Sequence, residues 1–293
     1  MTSTVKERKI GSLGTSIGLL ALGVSLYAAA TALKQQGHIE ALRESQAAVV
    51  VNNAYTFKTE ADFKKAVVSA LNEIVQQKQK TDLDSKMKKF ELAAEKAPDG
   101  RKIYGNLDAR FTLVEFSETE CPYCVKHQTT LKTLVDASKG NINWEWKHLP
   151  LGFHNPAAMT QAIVGECVAE QLGNRAFWVY IDEVFKQSGG NGQGVKDLPG
   201  LVESLGVDID NLRKCAAGAD AKAIVDADLK MASDFNINGT PATFVVDNVT
   251  GNSQIVSGAQ PVGAFSAVIK RLMDQGDSTE EEASETKSET NKL

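Results

Sequence analysis

Apolar and polar positions change rhythm twice along this chain. Residues 60–80 keep helical spacing, with Phe63, Ala66, Val67, Ala70, Leu71, Ile74 and Val75 at i, i+3, i+4 and i+7, and Thr59 with Asp62 supplies a capping signal ahead of them. Leu83, Met87, Phe90 and Ala94 repeat the spacing and predict a second helix over about 83–97, which Pro98-Asp99-Gly100 stops. From Ile103 the rhythm shortens. Phe111 to Phe116 is an apolar run of strand length, and 121–138 reads as a helix. In 142–148, Ile142, Trp144 and Trp146 alternate with Asn143, Glu145 and Lys147, as in a half-buried strand. Residues 156–235 return to consecutive helices, broken by Ser188-Gly189-Gly190-Asn191-Gly192-Gln193-Gly194. Strand patterns at 242–246 and 253–256 and a closing helix at 262–273 complete the series. Strands alternating with helices predict an α/β domain.

The N-terminus has a different character. Ile10 to Leu33 is a run of 24 residues without a charge. As a helix it would span about 36 Å, enough for a bilayer core. Lys6, Arg8 and Lys9 precede it, which by the positive-inside rule leaves the N-terminus in the cytoplasm and the rest of the chain outside. An uncleaved anchor suits the length, with Gly14-Thr15-Ser16-Ile17-Gly18 as a close-packing face. A signal peptide cleaved near Ala28-Ala29-Ala30 is the competing reading. Either one exports the remaining chain to a compartment where disulfides persist.

Charge adds little except at the end. The chain carries a formal net charge of −5, and six acids against Lys287 and Lys292 concentrate most of it after residue 276. That segment has no apolar residue larger than Ala before Leu293 and predicts a disordered acidic tail over 276–293. Basic residues are scattered among acids, which argues against nucleic acid as a partner.

The chemistry enters at Cys121-Pro122-Tyr123-Cys124, directly after one predicted strand and at the start of a predicted helix. Free N–H groups and the helix dipole there favour a thiolate, and Pro122 falls where its missing N–H costs nothing. Cys121 and Cys124 share a helix face at disulfide-forming separation. The expected reaction is thiol–disulfide exchange, with no cofactor. Cys121, Cys124 and His127, with His148 or His154, also have usable spacing for zinc, but no second Cys-x-x-Cys accompanies them. His127 either favours the thiolate or faces solvent.

With Gly239-Thr240-Pro241 immediately before the strand at 242–246, these residues resemble the DsbA-like branch of the thioredoxin superfamily over roughly residues 101–275. The resemblance implies a thioredoxin fold with a helical insertion at about 156–235, preceded by the N-terminal membrane segment (1–33) and an α-helical extension (34–100). It implies that Pro241 is a cis-proline opposite the dithiol, and that Thr240 pairs through its backbone with a substrate strand. It also implies that Cys121 attacks, that Cys124 resolves the mixed disulfide, and that Pro122 and Tyr123 tune the potential. Glu115, six residues before Cys121, matches the family's buried acid and would relay the proton of Cys124; an exposed strand acid is the alternative.

Cys167 and Cys215 remain, and in an exported protein they are expected to pair with each other, two buried free thiols being the alternative. Thr240 before the proline and the extension at 34–100, a candidate oligomerisation stalk or a segment packed on its own domain, lean towards isomerases of the DsbC, DsbG and ScsC type. The large helical insertion in a single domain leans towards oxidases. The expected protein is an envelope disulfide oxidoreductase or isomerase acting on exported cysteine-containing clients, reset by a membrane redox partner. The alternative is a membrane-tethered chaperone or assembly factor whose dithiol is incidental.

Overall fold

The computed structural model describes residues 59–290. The expected anchor or signal at 1–33 and the loosely periodic 34–57 lie outside them. Among the described residues, no helix is long and apolar enough to cross a membrane.

Helix α1 runs unbroken from Glu60 to Lys89. Two helices were expected here; instead the Thr81 hydroxyl bonds back to the Gln77 carbonyl, and no glycine or proline interrupts the turn. The chain leaves the helix before Phe90 and Ala93, which are buried. The described residues from Glu73 onward belong to one compact unit. Within it Lys86 and Lys89 tie the last turn of α1 to Glu183 and Asp182.

The sheet holds five strands in the order β1-β3-β2-β4-β5: β1 (Lys102–Gly105), β2 (Phe111–Ser117), β3 (Ile142–His148), β4 (Ala242–Asp247) and β5 (Ser253–Ser257). β2 and β3 are parallel; the other neighbours are antiparallel. β2 sits in the middle, which is why its sequence is an almost continuous apolar run. α2 (Pro122–Ala137) packs on β3 and β1, and α8 (Val262–Thr290) on β4 and β5. The insertion comprises α3 (Ala157–Leu172), α4 (Asn174–Gln187), α5 (Leu198–Ser204), α6 (Ile209–Ala217) and α7 (Asp220–Asp234). α4 is buried on nearly every side, with Phe177, Trp178, Tyr180 and Ile181 in a core shared with Tyr104, Trp144 and Trp146. Asn174 locks β1 in place: it accepts from the Ile103 N–H at 3.0 Å and donates to the Ile103 and Ala94 carbonyls.

Two expectations need correction. β3 is not half-buried: Asn143 and Glu145 are covered as well, because β3 lies between β1 and β2 and its charged face is closed by Arg101 and by Asp228 of α7 through Lys147. The final helix does not stop at 273 but continues through Thr290 into the acidic segment expected to be disordered. Glu, Ala and Lys are good helix formers, and no proline or glycine after Gly276 halts propagation.

Candidate active site

β2 delivers Ser117-Glu118-Thr119-Glu120 to the start of α2, and Cys121 occupies the N-cap with extended backbone (φ −84°, ψ 119°). Pro122 opens the helix, and Tyr123 stands 69 % exposed beside the nucleophile. Cys121 and Cys124 are both buried and unbridged. The Cys121 thiol lies 3.6 Å from the Thr240 carbonyl, its acceptor, and the Thr240–Pro241 peptide is cis. Residues 121–124 and 240–241, apart in sequence by more than a hundred positions, therefore form one surface.

The two sulfurs are strongly unequal. The Cys121 thiolate is stabilised first by a hydrogen bond from the Cys124 thiol, against the cost of burial, with the Thr240 hydroxyl and the backbone N–H groups of Cys124 and Tyr123 adding to it; its pKa falls to about 5. Cys124 moves far the other way, chiefly by burial, then by the hydrogen bond its thiol gives Cys121, and then by the charges of Glu115 and Cys121. Glu115 is fully buried, which excludes the exposed alternative, and burial lifts its carboxyl to about 8 despite the Ser117 hydroxyl and Trp144 indole beside it. The arrangement provides a ready nucleophile, a protonated resolving thiol and a carboxyl that is itself protonated at neutral pH.

His127 neither faces solvent nor presents a charge to the thiolate. It is buried against Phe265, shares a 2.8 Å hydrogen bond with Thr243, and burial lowers its pKa to about 4. The histidines considered for zinc have other partners. His148 accepts from the Trp146 indole at 3.1 Å and donates to Glu166 at 2.9 Å, while Lys102 holds the other Glu166 oxygen at 2.7 Å. His154 donates to Glu118. Cys167 and Cys215 form a disulfide joining α3 to α6.

Sequence reasoning missed the acids just before the nucleophile. Glu120 is fully buried; its carboxylate accepts from Ser188 at 2.5 Å, Gln161 at 2.9 Å and the Gly194 N–H at 3.0 Å, and its carbonyl accepts from the Asn191 N–H at 2.8 Å. The glycine loop is thus clasped to the residue adjoining Cys121. Two of its donors are backbone groups, which no motif records. Glu118 pairs with His154 and with the Leu151 N–H.

The family model described as Thioredoxin matches residues 96–271, more than half of the chain. The crystal structure of Pseudomonas aeruginosa DsbA2 is 34 % identical and superposes with a TM-score of 0.55 over 60 % of this chain and 97 % of that one. BdbD from Bacillus subtilis, 19 % identical, shares the fold with a TM-score of 0.51 over 61 % and 96 % of the two chains. Among curated proteins, the Na(+)/H(+) antiporter NhaA 1 of Salinispora arenicola is 30 % identical over 59 % of this chain, but the match takes in only 24 % of the antiporter's length. The chain spans about a quarter of the length of the curated relatives it matches. With a family model over more than half of its residues and DsbA2 matched along almost its whole length, the chain belongs to the thioredoxin family, in its DsbA-like thiol–disulfide oxidoreductase branch.

Proposed function

We propose that this protein introduces disulfides into exported client proteins in the bacterial envelope, with Cys121 as the sulfur that forms the mixed disulfide with the client and Cys124 as its partner in the dithiol. The observation that carries the reading is the inequality of the two sulfurs at the start of α2. A Cys121 thiol held near 5 favours the reduced form over the disulfide, which makes the oxidised dithiol a strong acceptor of client electrons. The client thiolate attacks the Cys121–Cys124 disulfide at Cys121; Cys124 leaves and takes up a proton, for which Glu115 is the nearby donor. A second client thiolate then attacks the client's own sulfur in the mixed disulfide, releasing Cys121 as a thiolate. The client gains a disulfide, and this protein is left with the two electrons. Thr240 and Pro241 border the groove in which the client chain lies extended, and Tyr123 contacts it from the helix side.

A membrane redox partner would reoxidise the dithiol, and the apolar segment at 10–33 would hold the domain at the inner membrane, or direct its export before cleavage. Phe63, Val67, Leu71 and Ile74 are exposed along α1, which supports self-association of the extension with a second copy.

Replacing Cys124 by Ala, in a background carrying Ser at Cys167 and Cys215, tests the core of this reading. Clients should accumulate as mixed disulfides on Cys121, visible on non-reducing gels. Acid quench and thiol alkylation of the parent protein should find Cys121 and Cys124 mostly oxidised; a mostly reduced pair would indicate isomerase or reductase work. No trapped client, together with a phenotype that survives Cys121→Ser, would favour a tethered chaperone.

A further inference from the structure

Glu118 and His154 are 3 % and 6 % exposed. The imidazole Nδ1–H donates to one carboxylate oxygen of Glu118 in a short bond, and the Leu151 N–H donates to the other at 3.0 Å. Glu118 lies three residues before Cys121, on the stretch that β2 delivers to the start of α2, so one short segment carries both the imidazole's partner and the nucleophile. On the other side of His154 lies the Phe153 ring, at 4.4 Å between centroids. The glycine loop also approaches closely: a Cβ on Gly192 would stand 3.3 Å from the His154 Cα. Burial pushes the Glu118 carboxyl above its ordinary range against the hydrogen bonds of Leu151 and His154 and the charge of His154, and the charge of Cys121 adds a smaller push in the same direction. A pair so enclosed is poorly screened by salt, and charges a few residues apart interact strongly there.

The titratable groups facing the pair come from the start of α2, namely Cys121 and, deeper, Cys124. Glu115 acts on the same sulfurs from β2. The loop before α3 adds the Leu151 N–H and the Phe153 ring, and the glycine loop adds backbone.

We propose that Glu118 and His154 are positioning residues for the exchange reaction: a buried proton-sharing pair whose charge is linked to that of Cys121, so that reducing the disulfide draws a proton onto the pair. This rests on the exchange reading above. In the overall step a client dithiol gives up two electrons and two protons as its own sulfurs join. The Cys121–Cys124 bond breaks, Cys124 keeps one proton, and Cys121 remains a thiolate. The second proton goes to the Glu118–His154 pair in proportion to the pair's affinity, and otherwise to water. Linkage is reciprocal: if the thiolate favours protonation of the pair, the protonated pair favours the thiolate and the reduced state.

The test uses the full chain with the Cys167–Cys215 disulfide intact. Across a pH series, NMR of the His154 ring should show more of the protonated form in the reduced protein than in the oxidised one, and Cys121→Ser should abolish the difference. Glu118→Gln keeps the side chain's shape and its acceptor for Leu151. It should lower the pH at which the Cys121 thiolate absorbance appears by about half a unit or more, and shift the glutathione equilibrium about threefold or more towards the reduced form. His154→Gln, which leaves the carboxylate without its imidazole, should move both readouts the opposite way. Loss of packing alone would move the two variants in the same direction. That result, or identical His154 protonation in the two redox states, overturns the proposal. These readouts need no client, so failed trapping at Cys124→Ala with intact linkage would sink the function and spare this inference.

Discussion

Glu115 shows how much one side chain's surroundings decide. On a half-covered strand it would be an ordinary acid; between Trp146 of β3 and Thr243 of β4, in the middle of the sheet, it is sealed from water. Burial raises its folded-state pKa from 4.5 to about 8, so between those values the unfolded chain releases a proton that the folded chain keeps. The sign follows from that inequality. The contribution is fully present below pH 4.5 and is lost as pH rises towards 8, and the loss reaches on the order of 3 kcal/mol at pH 7. Glu115→Gln should therefore gain stability of that order at pH 7 and little at pH 4. Urea titrations of the reduced proteins at both values check it, and parallel curves for parent and variant would show that Glu115 ionises freely in the fold. The same variant should slow the release of Cys124 during exchange, because the sulfur loses its nearby proton source.

Elements meet at the redox site through contacts that no single element contains. The end of β2, the helix α3 and the glycine loop converge on the Glu120 carboxylate, which satisfies three donors while its neighbour Cys121 begins α2. Removing a buried acceptor leaves its donors unsatisfied, at a cost of about 2–4 kcal/mol. Glu120→Ala should lower the melting temperature. It should also release amide-exchange protection first in 188–195, where the Gly194 N–H and the Ser188 hydroxyl lose their acceptor, while the β2–β3 ladder stays protected. Uniform loss of protection would mean that the clasp is part of the global unfolding unit rather than a local fastening. The loop's glycines serve this close approach: Gly194 has φ +70°, and a Cβ there would come within 3.2 Å of Ala157.

At the scale of the whole molecule, the insertion is a helical body with its own cross-link. The disulfide closes a span of 48 positions between α3 and α6, for which chain entropy allows up to about 4 kcal/mol. That is a large part of the roughly 5–15 kcal/mol that hold a domain together. Replacing both Cys167 and Cys215 by Ser should lower the unfolding free energy read from guanidinium titrations by an amount of this order. The thiolate titration of Cys121 should be unchanged, because the cross-link joins two helices of the insertion and leaves the start of α2 intact. A shifted Cys121 titration would mean that the insertion presses on the site through α3, by way of Gln161 and Glu120.

Local chemistry made a good part of this protein legible. The alternation around 111–148, the dithiol at a strand-to-helix junction, the acid at Glu115 and the threonine–proline pair before β4 are short patterns governed by neighbours in sequence. So is the likeness they bear to a family. The spacing over 60–80 predicts a helix but not its length: one helix runs from Glu60 to Lys89, because the Thr81 hydroxyl bonds back to the Gln77 carbonyl and the turn continues. Tertiary structure alone decided the rest. It buried His127 against Thr243 and Phe265, covered both faces of β3, brought Thr240 to Cys121, and set His154 on Glu118 and Gly194 on Glu120. Each of these joins residues dozens of positions apart. A buried charge, or a backbone donor seeking an acceptor, finds its partner only after the chain has packed, when the loss of water makes the pairing worth several times what it would be in solvent.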